Sequence, residues 1–216
     1  MTQDGDARLR QARAAWDAEA ATFDAEADHG LLDPRVREAW EGLLAGALGP
    51  GPLRVADLGC GTGSLSLLLH DMGHTVTGLD LSPQMLERAR AKAPAVRFVE
   101  GDAARPDLPG ADFDAVVGRH ILWALPDAAS ALARWAALLV PGGILCLVEG
   151  VWHTGAGLSS DQVRAALPAG MACLGLRDLS LDPELWGGPL ADDRYILTAR
   201  RSFSPRAAAG LPGRRP

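Results

Sequence analysis

The sequence predicts an α/β protein built on one doubly wound, mostly parallel sheet. Three observations carry that prediction. Short apolar runs alternate with helix-length segments through the middle of the chain, a glycine-rich turn follows the first run directly, and acidic residues close the second run and follow the third. At 216 residues the chain suits one domain of ordinary size with a sizeable core.

The elements follow in order. Residues 1 to about 7 are polar and predict a frayed terminus. From Arg8 to about Phe23 the alanine-rich RLRQARAAWDAEAATF holds good helix formers and no breaker. Gly30 and Pro34 punctuate ADHGLLDP, and a second helix runs from Pro34 to about Leu48, with Val36, Trp40, Leu43, Leu44 and Ala47 on one face. GPGP at 49–52 ends it and sets a boundary at residue 50. Val55 to Asp57 then reads as a strand, and Gly63 to Met72 as a helix with Gly73 in the C-terminal cap. Thr75 to Leu79 is β-branched and strand-like, and Ser82-Pro83 is an N-cap with a first-turn proline, opening a helix through Lys92. Val96 to Val99 and Asp114 to Val117 are further strands, Asp127 to Leu139 a helix, and PGG at 141–143 a turn into the strand Ile144 to Val148. Ser159 to Leu167 looks helical, and Cys173 to Leu181 and Tyr195 to Ala199 look like strands. Their linker, DPELWGGPLADD, suits an antiparallel pair and leaves no room for a crossover helix. Residues 202–216, rich in Pro, Gly and Arg, predict a disordered tail.

Composition excludes several function classes. With 48% hydrophobic and 22% charged residues the chain reads as a soluble globular protein. Charges or glycines interrupt every apolar run, so no membrane span is expected, and MTQDGDARLRQARAAW lacks the apolar core of a signal peptide. A net charge of -6 argues against a surface that grips nucleic acid. Twenty arginines beside the single lysine, Lys92, reflect a GC-rich genome more than a partner. The three scattered cysteines suit neither a disulfide framework nor a zinc site, and no metal is expected; the chain reads as cytoplasmic.

The turn VADLGCGTGS holds Gly59, Gly61 and Gly63 between a strand and a helix, where glycine lets backbone approach a ligand closely. A phosphate loop would end in Gly-Lys-Ser/Thr, which is absent, and a dinucleotide turn would carry a third glycine where Ser64 stands. Packing alone also produces glycine-rich turns. The spacing of acids weighs against that reading. Asp80 closes the second strand, where a carboxylate suits two ribose hydroxyls, and Asp102 follows the third, within reach of an adenine edge. Polar groups from three strand ends thereby converge on one crevice.

VADLGCGTG, VTGLDLSPQMLERAR, VRFVEGDA, FDAVVGRHILWALPD and LLVPGGILCLVEG together resemble the ordered motifs of class I S-adenosylmethionine-dependent methyltransferases, from about Val55 to Glu149. The resemblance implies a Rossmann-like seven-stranded sheet with an antiparallel last strand, spanning residues 51–201, and a helical lid over residues 1–50. It implies S-adenosylmethionine as cofactor, its methionine part held by Asp57 and the Gly59–Gly63 turn, including Cys60, and its ribose by Asp80. Leu81, Ser82 and Met85 would lie beside the adenosine, Asp102 and Ala103 would meet the adenine, and Trp16 and Phe23 would close the lid on the cofactor.

The acceptor is expected beyond the fourth and fifth strand ends. His120 is a candidate general base, since imidazole titrates near neutrality; a contact to backbone or cofactor is its other reading. His29, in the DHG turn, is a second candidate base, or a helix-terminus contact. Arg119 suits the cofactor carboxylate or an acidic substrate, and Trp123, Trp152 and His153 suit the acceptor pocket, the tryptophans otherwise being core. His70 and His74 read as solvated, and Cys60 as packing rather than a nucleophile. The chain lacks the Asn/Asp-Pro-Pro-aromatic stretch of nucleic-acid amino-methylating enzymes, the Pro-Cys of cytosine-C5 enzymes and an acidic metal cluster after strand four. A methyl transfer to O or N of a small molecule in bacterial specialised metabolism is the leading expectation. The alternatives are non-methyl chemistry such as cyclisation, and a cofactor-binding module without turnover. The apolar N-terminal helices suit a lid or a homodimer interface.

Overall fold

A computed structural model describes residues 3–203 of the chain, apart from 109 and 111. Seven strands, β1 (Arg54–Leu58), β2 (Thr75–Asp80), β3 (Arg97–Glu100), β4 (Phe113–Arg119), β5 (Leu139–Val151), β6 (Met171–Asp178) and β7 (Asp193–Arg201), form one sheet in the order β3-β2-β1-β4-β5-β7-β6. β1 to β5 pair in parallel, while β7 runs antiparallel to both β5 and β6. The chain therefore winds outward from β1 to β3, returns to the centre, and winds the other way from β4. That reversal opens a crevice above the carboxyl ends of β1 and β4.

The central strands are apolar on both faces. Val55, Ala115, Val117, Cys146 and Val148 pack with Trp40, Leu44, Leu65 and Leu68 of α3 (Pro34–Leu48) and α4 (Ser64–Asp71). Ala56, Leu58, Val116, Leu145 and Leu147 pack with Leu132 and Trp135 of α6 (Ala128–Leu138) and Val163 of α7 (Ser160–Ala165). This period of two, with both sides buried, is why the strands read as apolar runs without polar alternation. α5 (Pro83–Lys92) lies on the α3–α4 side, where Ala93 and Val96 join the core. The predicted caps form: Ser82 Oγ accepts from Met85 N at 3.1 Å and Asp127 Oδ1 from Ser130 N at 3.1 Å.

The N-terminal third divides differently from the boundary at residue 50. α3 is a core layer, with Trp40 fully buried and its Nε1 donating to Leu185 O at 2.8 Å. Only the preceding segment, comprising α1 (Gln3–Glu19), a 3-10 turn (Phe23–Ala25) and α2 (Ala27–Gly30), crosses the strand ends. α1 begins ahead of Arg8, so the fraying expected through residue 7 is absent from Gln3 onward. The PGG at 141–143 lies inside β5, and the β6–β7 linker holds a one-turn helix, α8 (Pro183–Trp186), too short to cross the sheet. His74 is buried rather than solvated, its Nδ1 accepting from Leu53 N at 3.2 Å, because the loop after α4 folds back under β1. β6 is an edge strand exposed on most of its length and bulged between Cys173 and Gly175. The expected disordered tail falls outside the described residues from 204 onward.

Trp135 joins core to site: its ring is fully buried and Nε1 donates to Ala103 O at 2.7 Å. Trp135→Phe keeps an aromatic ring but removes the pyrrole portion of the indole and orphans that buried carbonyl. The expected loss is about 2 kcal/mol of unfolding free energy, read as a lower urea midpoint at unchanged slope.

Candidate functional site

The carboxyl ends of β1 to β5 and the N-terminal segment enclose a cavity of about 890 Å³. The sequence-derived set gathers there: Trp16, Phe23, His29, Asp57, Gly59, Cys60, Gly61, Asp80, Leu81, Met85, Asp102, Ala103, Arg119, His120, Trp123 and Trp152 all line it. Three expected residues do not. Ser82 is fully buried, its Oγ engaged by Asp17 and by Met85 N. Gly63 sits behind the turn as the N-cap of α4, where a Cβ would lie 2.9 Å from both Ala89 and Phe98, so packing rather than a ligand requires glycine there. His153 points to solvent and pairs with Asp192 at 3.2 Å, because the chain turns outward after Trp152.

The glycine turn is shaped by backbone. Gly59 and Gly61 have φ of 72° and 53°, in the left-handed region, and a Cβ on Gly59 would strike Ile121 at 2.6 Å. Asp80 fixes this turn. Its Oδ2 accepts from Gly61 N at 2.8 Å and its Oδ1 from Ser82 N at 2.8 Å. Burial nevertheless pushes the Asp80 carboxyl up, against those two hydrogen bonds. Asp57, deeper in the cavity floor, accepts from Ser66 Oγ at 2.5 Å, and burial pushes its pKa up to about 6. Asp102 Oδ1 accepts from Ala104 N at 2.8 Å, shaping the loop after β3.

Polar contacts bind the N-terminal segment across the opening. Arg13 Nε donates to Leu81 O at 3.1 Å and its guanidinium pairs with Glu100. Ser82 Oγ donates to Asp17 at 2.5 Å. Lys92 Nζ meets Asp24 at 2.7 Å, Thr62 Oγ1 at 3.0 Å and Ser64 Oγ at 2.6 Å, and Thr62 Oγ1 donates to Asp24 at 2.5 Å. Arg119 donates to the carbonyls of Asp28 and His29 and lies 5.1 Å over the Trp40 ring. It forms no ion pair with a carboxylate among the described residues. Sequence reasoning missed Asp17, Asp24, Asp28 and Lys92 as contacts in this region. A lone lysine among arginines was the one signal that could have pointed to Lys92.

Around the β4 and β5 ends the site is aromatic. His120 has φ of 55°, rare for a residue with a side chain. Its backbone is clamped on both sides: its N–H donates to Val148 O at 2.9 Å, and its carbonyl accepts from Trp123 Nε1 at 2.8 Å. The next two amides, of Ile121 and Leu122, donate to Glu149 Oε1 at 2.9 and 2.8 Å. The His120 ring meets Trp152 edge-on at 5.3 Å, and Arg194 covers the Trp152 ring at 4.6 Å. Burial lowers the pKa of His120 to about 4 and pulls His29 down as well, so both rings are neutral at pH 7. Burial pushes the Cys60 thiol well up, which fits packing and not nucleophilic attack.

A family model described as a methyltransferase domain matches residues 55–143. Malonyl-[acyl-carrier protein] O-methyltransferase of Serratia marcescens is 32% identical over 187 residues, covering 78% of this chain and 71% of that protein. The chain spans 44% to 63% of the length of other curated methyltransferases it matches. Among solved structures, the [4+2]-cyclase SpnF superposes with a TM-score of 0.66 at 25% identity, over 77% of this chain and 81% of that one. The N-methyltransferase NodS from Bradyrhizobium japonicum WM9 shares the fold with a TM-score of 0.67 at 20% identity, over 86% and 98%.

Glu149 gives this region a pH signature. Burial pushes its pKa from 4.5 up to about 7. Between those values the native state binds more protons than the unfolded chain, so Glu149 makes unfolding easier as pH rises through that window. Glu149→Gln should remove that component, roughly 3 kcal/mol across the window. Urea unfolding of both proteins at a series of pH values checks it.

Proposed function

Because the chain belongs to the class I S-adenosylmethionine-dependent methyltransferases, we propose that it transfers a methyl group to an oxygen or nitrogen of a small molecule. The observation that carries this reading is one cavity joining the cofactor-side strand ends, β1 to β3, to an aromatic chamber at β4 and β5. The cavity is enclosed by the chain's own N-terminal segment, which suits a small acceptor. The bacterial relatives favour a bacterial setting for this reaction, and its place in specialised metabolism is part of the proposal.

The residues fit the cofactor. Arg119, half-buried and without a carboxylate partner among the described residues, suits the carboxylate of the methionine part, and the buried Asp57 beside it suits the ammonium. Asp80 retains lone pairs for the ribose hydroxyls, Asp102 and Ala103 offer polar edges to the adenine, and Leu81, Met85, Trp16 and Phe23 offer apolar cover. S-adenosylmethionine supplies a methyl carbon already activated by its sulfonium. The protein's part is alignment, a contribution of geometry and lost freedom. His120 or His29 takes the proton where the acceptor still carries one.

A second reading keeps the cofactor without methyl transfer, favoured by the likeness to a [4+2]-cyclase. Incubation with methyl-labelled S-adenosylmethionine and a panel of small alcohols, phenols and amines separates the two. Label in the acceptor together with S-adenosylhomocysteine supports methylation; an unlabelled, rearranged acceptor with the cofactor intact supports the second reading.

Calorimetry with S-adenosylhomocysteine tests the site itself. Asp80→Ala should raise Kd by roughly a hundredfold, since charge-assisted bonds of about 3 kcal/mol in total are lost. Binding requires ionised Asp57, so affinity should fall as pH drops, by about tenfold from pH 7 to pH 5. Asp57→Asn should flatten that profile while weakening binding throughout.

A further inference from the structure

His120 and His29 are not equivalent. His120 Nε2 lies 3.3 Å from Asp28 Oδ2, whereas His29 Nε2 is 3.9 Å from the same oxygen and its ring is stacked on Phe23 at 4.4 Å. Asp28 is held from behind, its carbonyl accepting from Arg119. Burial pushes its carboxyl up, but the His120 hydrogen bond and the neighbouring His29 and Arg119 outweigh that and hold it below the usual range, so it is ionised. An ionised carboxylate is an acceptor only, which makes Nε2 the donor and puts the ring proton there. Nδ1 is then a bare lone pair. It is buried with no hydrogen-bond partner among the described residues, as is His29 Nδ1, and its ring lines the cavity. The left-handed backbone of His120 is clamped by Val148 and Trp123, and the ring that projects from it is held by Asp28 at Nε2 and by the edge-on Trp152 ring.

We infer that Asp28 is a positioning residue that makes His120 Nδ1 the proton acceptor for a hydroxyl-bearing acceptor, in a pair assembled only when the N-terminal segment lies over the strand ends. The inference rests on the methyltransferase reading and deepens it. As the acceptor oxygen bonds the methyl carbon, the carbon–sulfur pair stays on sulfur and the O–H proton passes to Nδ1. The positive charge lost from sulfur reappears on the imidazolium, 3.3 Å from the Asp28 carboxylate, so the net charge of the cavity is unchanged. A carboxylate acceptor, ionised at neutral pH, would give Nδ1 nothing to accept. Because Asp28 comes from the N-terminal segment, an open site would hold a histidine of unfixed tautomer.

The test uses the uniformly ¹⁵N-labelled full chain saturated with S-adenosylhomocysteine. Long-range ¹⁵N–¹H spectra of the five histidines at pH 7 are assigned through His120→Gln. The expected result is a single His120 tautomer with the proton on Nε2. Asp28→Asn should release it to a mixture or to the other tautomer, while S-adenosylhomocysteine affinity stays within about threefold. Phenol titrated into the complex should shift Nδ1, and benzoate should not. A proton on Nδ1 in the unsubstituted protein, or an Asp28→Asn spectrum like the original, overturns the pair. The first of these is decided without any variant having to fold. A shift with benzoate, or with neither probe, overturns the hydroxyl assignment. Absence of S-adenosylhomocysteine binding to the unsubstituted protein brings down the methyltransferase reading, and the inference with it.

Discussion

One carboxylate, Asp80, holds the architecture of the site together. Its two oxygens accept from Gly61 and Ser82, which belong to the turns that leave β1 and β2. The amides of Gly59 and Cys60 reach Leu79 O of β2, but those of Gly61 and Ser82 face the carboxylate instead. Asp80 satisfies both at once and so sets the separation of the two turns. The N-terminal segment then docks on what Asp80 has arranged: Asp17 on Ser82, and Asp24 on Thr62 one residue beyond Gly61.

The cost of this arrangement is desolvation. Asp57, Asp80 and Glu149 are all buried with their carboxyls pushed up, and His29 and His120 are buried and pulled down. Each shift favours the neutral form. Asp28 is the exception, shifted toward its charged form with His120 as its hydrogen-bond partner, while burial pulls Arg119 down and the carbonyls of Asp28 and His29 accept from it. A low-dielectric chamber with few fixed charges suits a cofactor that brings its own positive and negative groups. It also means that a proton accepted inside the chamber needs a carboxylate close by.

The fold was legible because its pattern is local. Strands buried on both faces announce themselves as apolar runs, and Ser82-Pro83 and Asp127 announce helix starts through their own backbone chemistry. The acids that line the cavity were equally legible, since Asp57 lies near the end of β1, Asp80 ends β2 and Asp102 follows β3. What the sequence hid was long-range. Nothing near Asp24 or Asp28 says that these residues meet Thr62 and His120, because that depends on how a segment crosses the sheet edge. Gly63 was misread for a related reason: a helix from across the turn, α5, supplies the crowding that demands it. His74 and His153 exchanged their expected environments because solvent exposure at loop ends is set by neighbours far away in sequence.

Lys92 shows where compositional drift meets geometry. The chain otherwise uses arginine for every basic side chain. At this point three oxygens, from Asp24, Thr62 and Ser64, converge on one nitrogen. An ammonium offers three donors from a single compact centre, whereas a guanidinium spreads its donors across a plane several ångströms wide. Arginine would reach one or two of these oxygens and push the others apart. The chain's one lysine therefore stands where the covering segment is fastened to the start of α4.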